Sequence, residues 1–200
     1  MDTWKNFGLW YYKLRKGRDK LPDEAIKEIK NIVSPSDNSE QKVVKLYKYL
    51  QSHTRYISVE LGIGDWQPFD ARYVYNHGYG DCKALSNYMI SLLKEEGIKA
   101  YPVLIYSGSS VHPLVKDFPS IQFNHVIVYV PLKNDSLWLE CASQTDLPGE
   151  VDWDIENREA LMVTPRGGVL IKLPKSTPTQ NTQVRDIKLT YRKLKLWFQV

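Results

Sequence analysis

A cysteine stands where a glycine-containing loop turns into a helix, in the segment "YGDCKALSNYM" around Cys82. Asp81 is a suitable N-cap residue, and apolar residues then recur at helical spacing over residues 85–93. The first N–H groups of a helix lack acceptors and the macrodipole is positive there, so both favour a thiolate over a thiol. Cys82 is therefore a candidate nucleophile. The alternative is an inert packing residue, because free cysteines are among the most buried residue types.

A thiolate nucleophile needs a general base, and the base needs a group that orients it. His125 lies in "QFNHVIVYV", which alternates like a strand, where a lone histidine can also be an ordinary core residue. Glu140 lies between Leu139 and Cys141 in a second strand-like segment. A carboxylate among apolar residues needs a partner unless it faces solvent. The three residues are therefore candidates for one catalytic triad.

The two strand-like segments are predicted to pair as a hairpin around a four-residue loop, residues 131–134. That register places His125 directly opposite Glu140, where Cβ atoms lie about 4.5–5.5 Å apart and a carboxylate can accept from the imidazole. A two-residue turn would instead place Glu140 opposite Tyr129, out of contact. The predicted contact therefore depends on the length of the loop.

Elements around these residues indicate helices followed by antiparallel strands, an α+β layout. Apolar spacing predicts helices over residues 23–33 and near 43–50, the second with capping-box spacing at Asp37 and Glu40. Residues 62–81 carry four glycines and a proline and are predicted to form a long loop with at most one helical turn.

The central helix is expected to follow this loop, running from Cys82 to a stop at Gly97. Strands are predicted over residues 99–107, 122–131 and 136–143 and on both sides of the Gly167-Gly168 turn.

Composition narrows the class of protein. The chain has 200 residues, 42% of them hydrophobic and 25% charged, as expected for a globular domain, and its net charge of +4 gives little reason to expect nucleic-acid binding. Four histidines and two cysteines lack metal-ligand spacing, so no metal or other cofactor is expected. There is no apolar run long enough for a transmembrane helix and no export signal near Met1.

Three segments together resemble a known family: "YGDCKALSNYMISLLKEEGIKAYPVLI", "FNHVIVYVPL" and "LWLECASQT". They are similar to the transglutaminase-like superfamily, in the bacterial branch found beside a domain of unknown function in large cell-envelope proteins. The resemblance covers roughly residues 22–165 and implies a papain-like α+β core. It implies Cys82 as nucleophile, His125 as base and Glu140 as the orienting acid. Most members carry aspartate at that last position, and Asp146 is a second candidate for the acid.

The loop before the nucleophile holds two further candidates, Trp66 and Gln67. Papain-like enzymes place an upstream glutamine amide in the oxyanion hole, so Gln67 is a candidate donor with Trp66 beside it, and Asn124 is a weaker one. The alternative is a surface glutamine next to a packed tryptophan.

The sequence therefore predicts a thiol enzyme that acts on amide bonds of proteins or peptides by acyl transfer, deamidation or proteolysis. Residues 1–21 are expected to be the tail of a preceding domain, 22–175 the core, and 176–200 a linker with the start of a further β unit. The resemblance implies a periplasmic or cell-envelope location within a longer protein.

A second hypothesis is a binding module of the same fold with little or no turnover. A redox or metal role for Cys82 with Cys141 is disfavoured. Cys141 directly follows Glu140 in its strand, so its side chain points to the opposite face of the sheet.

Overall fold

The computed structural model describes residues 2–59, 61–110, 113–133, 135–177, 179 and 182–188. Its helices are α1 (Trp4–Arg15), α2 (Asp23–Ile32), α3 (Ser39–His53), α4 (Ala71–His77) and α5 (Cys82–Glu95), with a 3-10 turn at Gly62–Asp65. Its strands are β1 (Arg55–Tyr56), β2 (Tyr79–Gly80), β3 (Tyr101–Ile105), β4 (His125–Pro131), β5 (Ser136–Leu139), β6 (Glu159–Thr164) and β7 (Gly167–Lys172).

Five of these strands form one antiparallel sheet in the order β5-β4-β3-β6-β7, and β1 and β2 form a separate parallel pair. Helix α5 packs on β4 and β3, and α2, α3 and α4 pack around α5. This arrangement of helices against an antiparallel sheet confirms the predicted α+β class. No helix in the described part of the chain is long and apolar enough to cross a membrane.

Helix α5 is buried around most of its circumference, which fixes the position of its first residue, Cys82. The Asp81 side chain caps the helix by accepting from the N–H of Ala84, as predicted, and Gly97 follows its end in the left-handed conformation at φ 71°. Within the helix, the Ser86 hydroxyl donates to the carbonyl of Val126 in β4. The helix therefore cannot slide along the sheet without breaking this buried hydrogen bond.

The predicted register of β4 and β5 is wrong by two residues. Val128 pairs with Leu139 and Pro131 with Ser136, so the loop begins one residue later than predicted. The Leu132 N–H donates to the carbonyl of Asp135 across this loop. Continued by one position, the ladder places residue 140 opposite residue 127 rather than opposite residue 125. The shift is an even number of residues, so the predicted sheet face of every side chain is preserved.

The long loop predicted for residues 62–81 contains more helix than expected. Besides the 3-10 turn it holds α4, which has seven residues. Asp70 caps α4 by accepting from the N–H of Tyr73, and Gly78 ends it at φ 67°. The capping signal at Asp70 outweighs the glycine content that suggested a loop.

The capping box of α3 lies one residue further along than predicted. Asn38 and Gln41 form it, with each side chain accepting from the backbone N–H of the other residue. Asp37 is unavailable because its carboxylate already accepts from the N–H of Ser34 and pairs with Lys45.

Helix α1 packs on β6 and β7, although its residues fall in the segment expected to lead in from another domain. A Cβ on Gly8 would lie 2.0 Å from the amide nitrogen of Gly168, so the helix and the strand can approach this closely only because both residues are glycines. Phe7 and Tyr11 on the same helix are buried in the core. The expected domain bounds stay a prediction, and the strands expected beyond residue 188 lie outside the described residues.

Candidate active site

Cys82 is the first residue of α5 and its side chain is largely buried, with 7% of the residue exposed. It belongs to an apolar cluster that includes Phe7, Leu104 and Val126. Because Cys82 and Lys83 are the first two residues of the helix, their N–H groups have no intrahelical acceptor. These groups point out of the helix start, where they favour a negative charge on or near the sulfur.

The residues on either side of the sulfur form an ion pair of their own. The Lys83 ammonium lies 2.8 Å from Oδ2 of Asp81, and both side chains are mostly buried. The other carboxylate oxygen of Asp81 accepts from the N–H of Ala84. The pair therefore cancels the charge that Asp81 alone would place beside a thiolate.

His125 and Glu140 are in direct contact. Nε2 of His125 lies 2.6 Å from Oε2 of Glu140, so the ring donates to the carboxylate. The second carboxylate oxygen accepts from the N–H of Ala142, and the hydroxyl of Tyr47 donates to the Glu140 carbonyl. Glu140 is 8% exposed. The carboxylate is therefore held from several sides in the orientation that the histidine needs.

The contact forms across a diagonal of the sheet rather than between directly opposed residues. Diagonal neighbours on one sheet face are about 7–8 Å apart, still within reach of long side chains. Glu140 lies one residue beyond β5, two positions from the partner of His125 in a continued ladder. The longer side chain of glutamate suits this distance better than aspartate would.

The charge state of His125 follows from its two neighbours. Burial alone would lower its pKa, but hydrogen bonds to Cys82 and Glu140 and the negative charges of both raise the pKa to about 10. The ring is therefore an imidazolium at neutral pH. With Nε2 bonded to Glu140, Nδ1 is the nitrogen left to face the sulfur.

A cavity of about 290 Å³ opens onto Cys82 and His125. Its walls come from α1, the loop before α4, the start of α5 and the strands β3 and β4. The residues that line it are Tyr11, Tyr56, Ser58, Asp65, Trp66, Asp81, Cys82, Lys83, Leu104, Ile121, Phe123, Asn124, His125 and Val126. Trp66 therefore borders the cavity, as its position before the nucleophile suggested.

Gln67 directly follows the lining residue Trp66 in the sequence but does not itself line the cavity. Its amide nitrogen donates to the carbonyl of Leu14, 3.0 Å away, and its amide oxygen accepts from Arg18 at 2.6 Å. The side chain ties the loop to the end of α1, so the geometry does not support the predicted role in an oxyanion hole. Asn124 lines the cavity, but its amide bonds the backbone of Ser107 in both directions.

Asp146 and Cys141 are not the residues whose described side-chain contact holds His125. The carbonyl of Asp146 accepts from Gln51, and the carboxylate bonded to His125 among the described residues is that of Glu140. Cys141 is buried, and burial together with the charge of Glu140 raises the pKa of its thiol well above the usual value. Both cysteines are free thiols, and the described residues contain no cluster suited to a metal ion.

Sequence reasoning missed Tyr11, which is 3% exposed and lines the cavity from α1. Burial and the nearby charge of Cys82 raise the pKa of Tyr11 far above its ordinary value, so the phenol keeps its proton. The spacing of Trp4, Phe7 and Tyr11 was the available signal, since aromatic residues three and four apart lie on one face of a helix.

Comparison with known proteins decides the family. The family model of the transglutaminase-like superfamily matches residues 27–142, a stretch that contains Cys82, His125 and Glu140. The chain belongs to the transglutaminase-like superfamily. No curated protein matches the chain.

Among solved structures, this transglutaminase-like chain is similar to the crystal structure of a "putative protease" from Parabacteroides distasonis, with a TM-score of 0.60 and 14% sequence identity. The alignment covers 83% of this chain and 30% of the other, so this chain spans about a third of that protein's length. At this identity the likeness shows a shared fold.

Proposed function

We propose that this protein is a thiol enzyme that attacks amide carbonyls in proteins or peptides with Cys82. The observation that carries the proposal is that Glu140 holds His125 by a hydrogen bond, and that His125 and Cys82 line the same cavity. Membership of the transglutaminase-like superfamily supports the same chemistry. A histidine that is protonated at neutral pH favours the thiolate beside it, since each charge stabilises the other.

In the first step the Cys82 thiolate adds to the substrate carbonyl carbon, and the carbonyl oxygen becomes an oxyanion. The N–H groups at the start of α5 are fixed donors beside Cys82 that can hold this charge, and the macrodipole of α5 favours it as well. Tyr11 borders the same cavity and keeps its phenolic proton at neutral pH, so it offers a further donor.

In the second step the carbon–nitrogen bond breaks, and the His125 imidazolium gives its proton to the departing amine. The product is a thioester on Cys82 and a neutral imidazole. Water or a second amine then adds to the thioester carbonyl while His125 takes its proton. The carbon–sulfur bond breaks, which returns the Cys82 thiolate beside the His125 imidazolium and releases an acid (hydrolysis) or a new amide (transfer). Glu140 keeps the ring in the orientation that both proton transfers require, so it acts as a positioning residue.

Dimethylated casein provides a test that does not assume which acceptor resolves the thioester. Dansylcadaverine incorporation reports transfer, ammonia release in the absence of added amine reports deamidation, and new fragments in mass spectra report proteolysis. At least one product is expected from the wild type and from Cys141→Ala, which removes the other thiol. None is expected from Cys82→Ala. Equal product formation by the Cys82→Ala variant would overturn the proposal.

A binding module of the same fold is the second candidate function, and no described contact favours it over the enzyme. It would be indicated by a folded protein that forms no product and whose Cys82 reacts like an ordinary thiol. The bacterial cell-envelope location and the adjoining domains, which the resemblance implies, stay predictions. Fractionation of the native host would test the location.

A further inference from the structure

A second and larger cavity, about 670 Å³ in volume, adjoins the one at Cys82. The two share three wall residues, Ile121, Phe123 and Asn124, so they lie side by side. The size lies within the range of sites that bind drug-sized molecules or short peptide segments. A chain that presents an amide to Cys82 can therefore extend into this second cavity.

One side of the second cavity is an apolar wall from the loop before β4. Leu114 and Phe123 are partly buried there, and Val115 and Ile121 are 56% and 63% exposed. Several apolar side chains exposed together on one surface are typical of a binding site rather than of ordinary surface. An apolar side chain of a ligand would cover them.

The apolar wall is fixed before any ligand binds. The side-chain oxygen of Gln122 accepts from the N–H of Val115, 2.8 Å away, which closes the loop on itself. The indole N–H of Trp4 donates to the carbonyl of Lys116 and ties the same loop to α1. A wall held in this way loses little conformational entropy when a ligand docks.

Two cationic side chains also line the second cavity. Arg158 and Lys172 line it, and within the part of the chain that the structure describes neither has a carboxylate within ion-pair distance. Glu159 also lines the cavity, but Lys116 pairs with it at 2.5 Å. Two cations and one carboxylate therefore line the cavity, and because Lys116 already neutralises that carboxylate, an excess of positive charge remains.

Arg158 is already set in place. Its guanidinium donates to the carbonyls of Gly108 and Ser110 and lies over the ring of Tyr106. These contacts use two of its five N–H donors and leave its charge uncompensated. A planar guanidinium held in one orientation is well suited to a carboxylate.

We propose that the second cavity binds an apolar, carboxylate-bearing segment of the peptide substrate whose amide is attacked at Cys82. This inference rests on the proposed function, and it names the substrate class: peptides with an apolar residue beside a negative charge. The carboxylate can belong to an acidic side chain or to a free C-terminus. Both carry the chemistry that Arg158 and Lys172 recognise, and the test below separates them.

Peptide binding is measured without turnover, in the Cys82→Ala variant, by titration calorimetry. The probes are three N-acetylated tetrapeptides. Each contains two leucines, and they differ in the charge of one side chain and of the C-terminus. One has a glutamate and an amidated C-terminus, one has a glutamine and a free C-terminus, and one has a lysine and an amidated C-terminus. At least one of the first two is expected to bind about tenfold more tightly than the lysine peptide. The tighter of these two identifies the source of the carboxylate.

Charge reversal then locates the binding. Lys172→Glu is expected to abolish the preference for the acidic peptide, whereas Lys175→Glu, an exposed lysine outside the cavity wall, should leave it unchanged. Arg158→Gln should weaken the same preference, with exposed Arg166→Gln as its control. Arg158→Gln can disturb the loop at Gly108 and Ser110 that Arg158 holds. Lys172 makes no side-chain hydrogen bond within the described residues, so Lys172→Glu tests the charge without disturbing that loop.

Equal binding of the acidic and basic peptides, absence of measurable binding, or an unchanged preference in Lys172→Glu would overturn the inference. These outcomes can be distinguished from a failure of the proposed function. A protein that prefers acidic peptides but has an unreactive Cys82 contradicts the enzyme proposal alone. A reactive Cys82 without any preference for acidic peptides contradicts the cavity assignment alone.

Discussion

Shortening Glu140 by one methylene, in Glu140→Asp, is expected to slow the reaction of Cys82, even though the family resemblance implies that aspartate is the more usual acid at this position. The present Nε2–Oε2 distance is 2.6 Å across a diagonal of the sheet. Removing one carbon–carbon bond of about 1.5 Å withdraws the carboxylate to about 4 Å from the ring. That separation exceeds the hydrogen-bond limit of about 3.2 Å.

The size of the effect follows from the bond that is lost. A hydrogen bond to a charged group contributes about 1.5–3 kcal/mol, which corresponds to a rate change of about 10- to 150-fold. The carboxylate of Glu140→Asp would stay close enough to attract the imidazolium, so the lower end of this range is expected. Glu140→Gln keeps an oxygen that can accept from the ring but removes the charge, so it should also react more slowly than the wild type.

The assay is the rate of Cys82 alkylation by iodoacetamide at pH 6, followed by mass spectrometry of the tryptic peptide. Glu95→Asp shortens an exposed glutamate at the far end of α5 and is the matched control. It should react like the wild type. A Glu140→Asp rate equal to or above that of the wild type would refute the argument from strand register.

Three further predictions concern stability and the second thiol. Because the pKa of His125 is raised to about 10 in the folded state, its contribution to the free energy of unfolding should be complete below about pH 6.5 and lost towards pH 10. Urea unfolding of the wild type and His125→Gln should therefore converge over this range, and a constant difference would contradict the raised pKa. Cys141 should not react with Ellman's reagent in the folded protein but should react in urea, because burial raises the pKa of its thiol; rapid native labelling would argue against this packing. Asp81→Ala should lower the free energy of unfolding by about 1 kcal/mol or more through loss of the N-cap, whereas exposed Asp117→Ala should not.

The elements nearest the candidate site are predictable because local signals define them. The N-cap at Asp81 and the apolar stripe over residues 85–93 suffice for α5 and for the place of Cys82 at its start. Strand alternation assigns His125 and Glu140 to one sheet face, and that assignment survives the two-residue error in register because side chains alternate with a period of two. The error itself comes from the position of the loop, which keeps the predicted length of four residues but begins after Pro131 rather than after Val130 and is closed by the hydrogen bond from Leu132 N–H to the Asp135 carbonyl.

Other features depend on contacts between distant parts of the chain. The amide of Gln67 bonds Arg18 and Leu14, and nothing in the neighbouring sequence indicates these partners. The same holds for the second cavity, where Arg158 approaches a loop some fifty residues earlier in the chain. The position of α1 against the sheet depends on the facing glycines Gly8 and Gly168, which no local pattern pairs.

In the proposed site, Cys82 and His125 form a thiolate–imidazolium pair held by Glu140. The pH profile of Cys82 alkylation, measured from pH 5 to 10 in the wild type and in His125→Ala, tests for this pair. We expect that Cys82 of the wild type reacts readily at pH 6 and that His125→Ala reacts appreciably only near the ordinary thiol pKa of about 8.5. A single step near pH 8.5 in both proteins would contradict it.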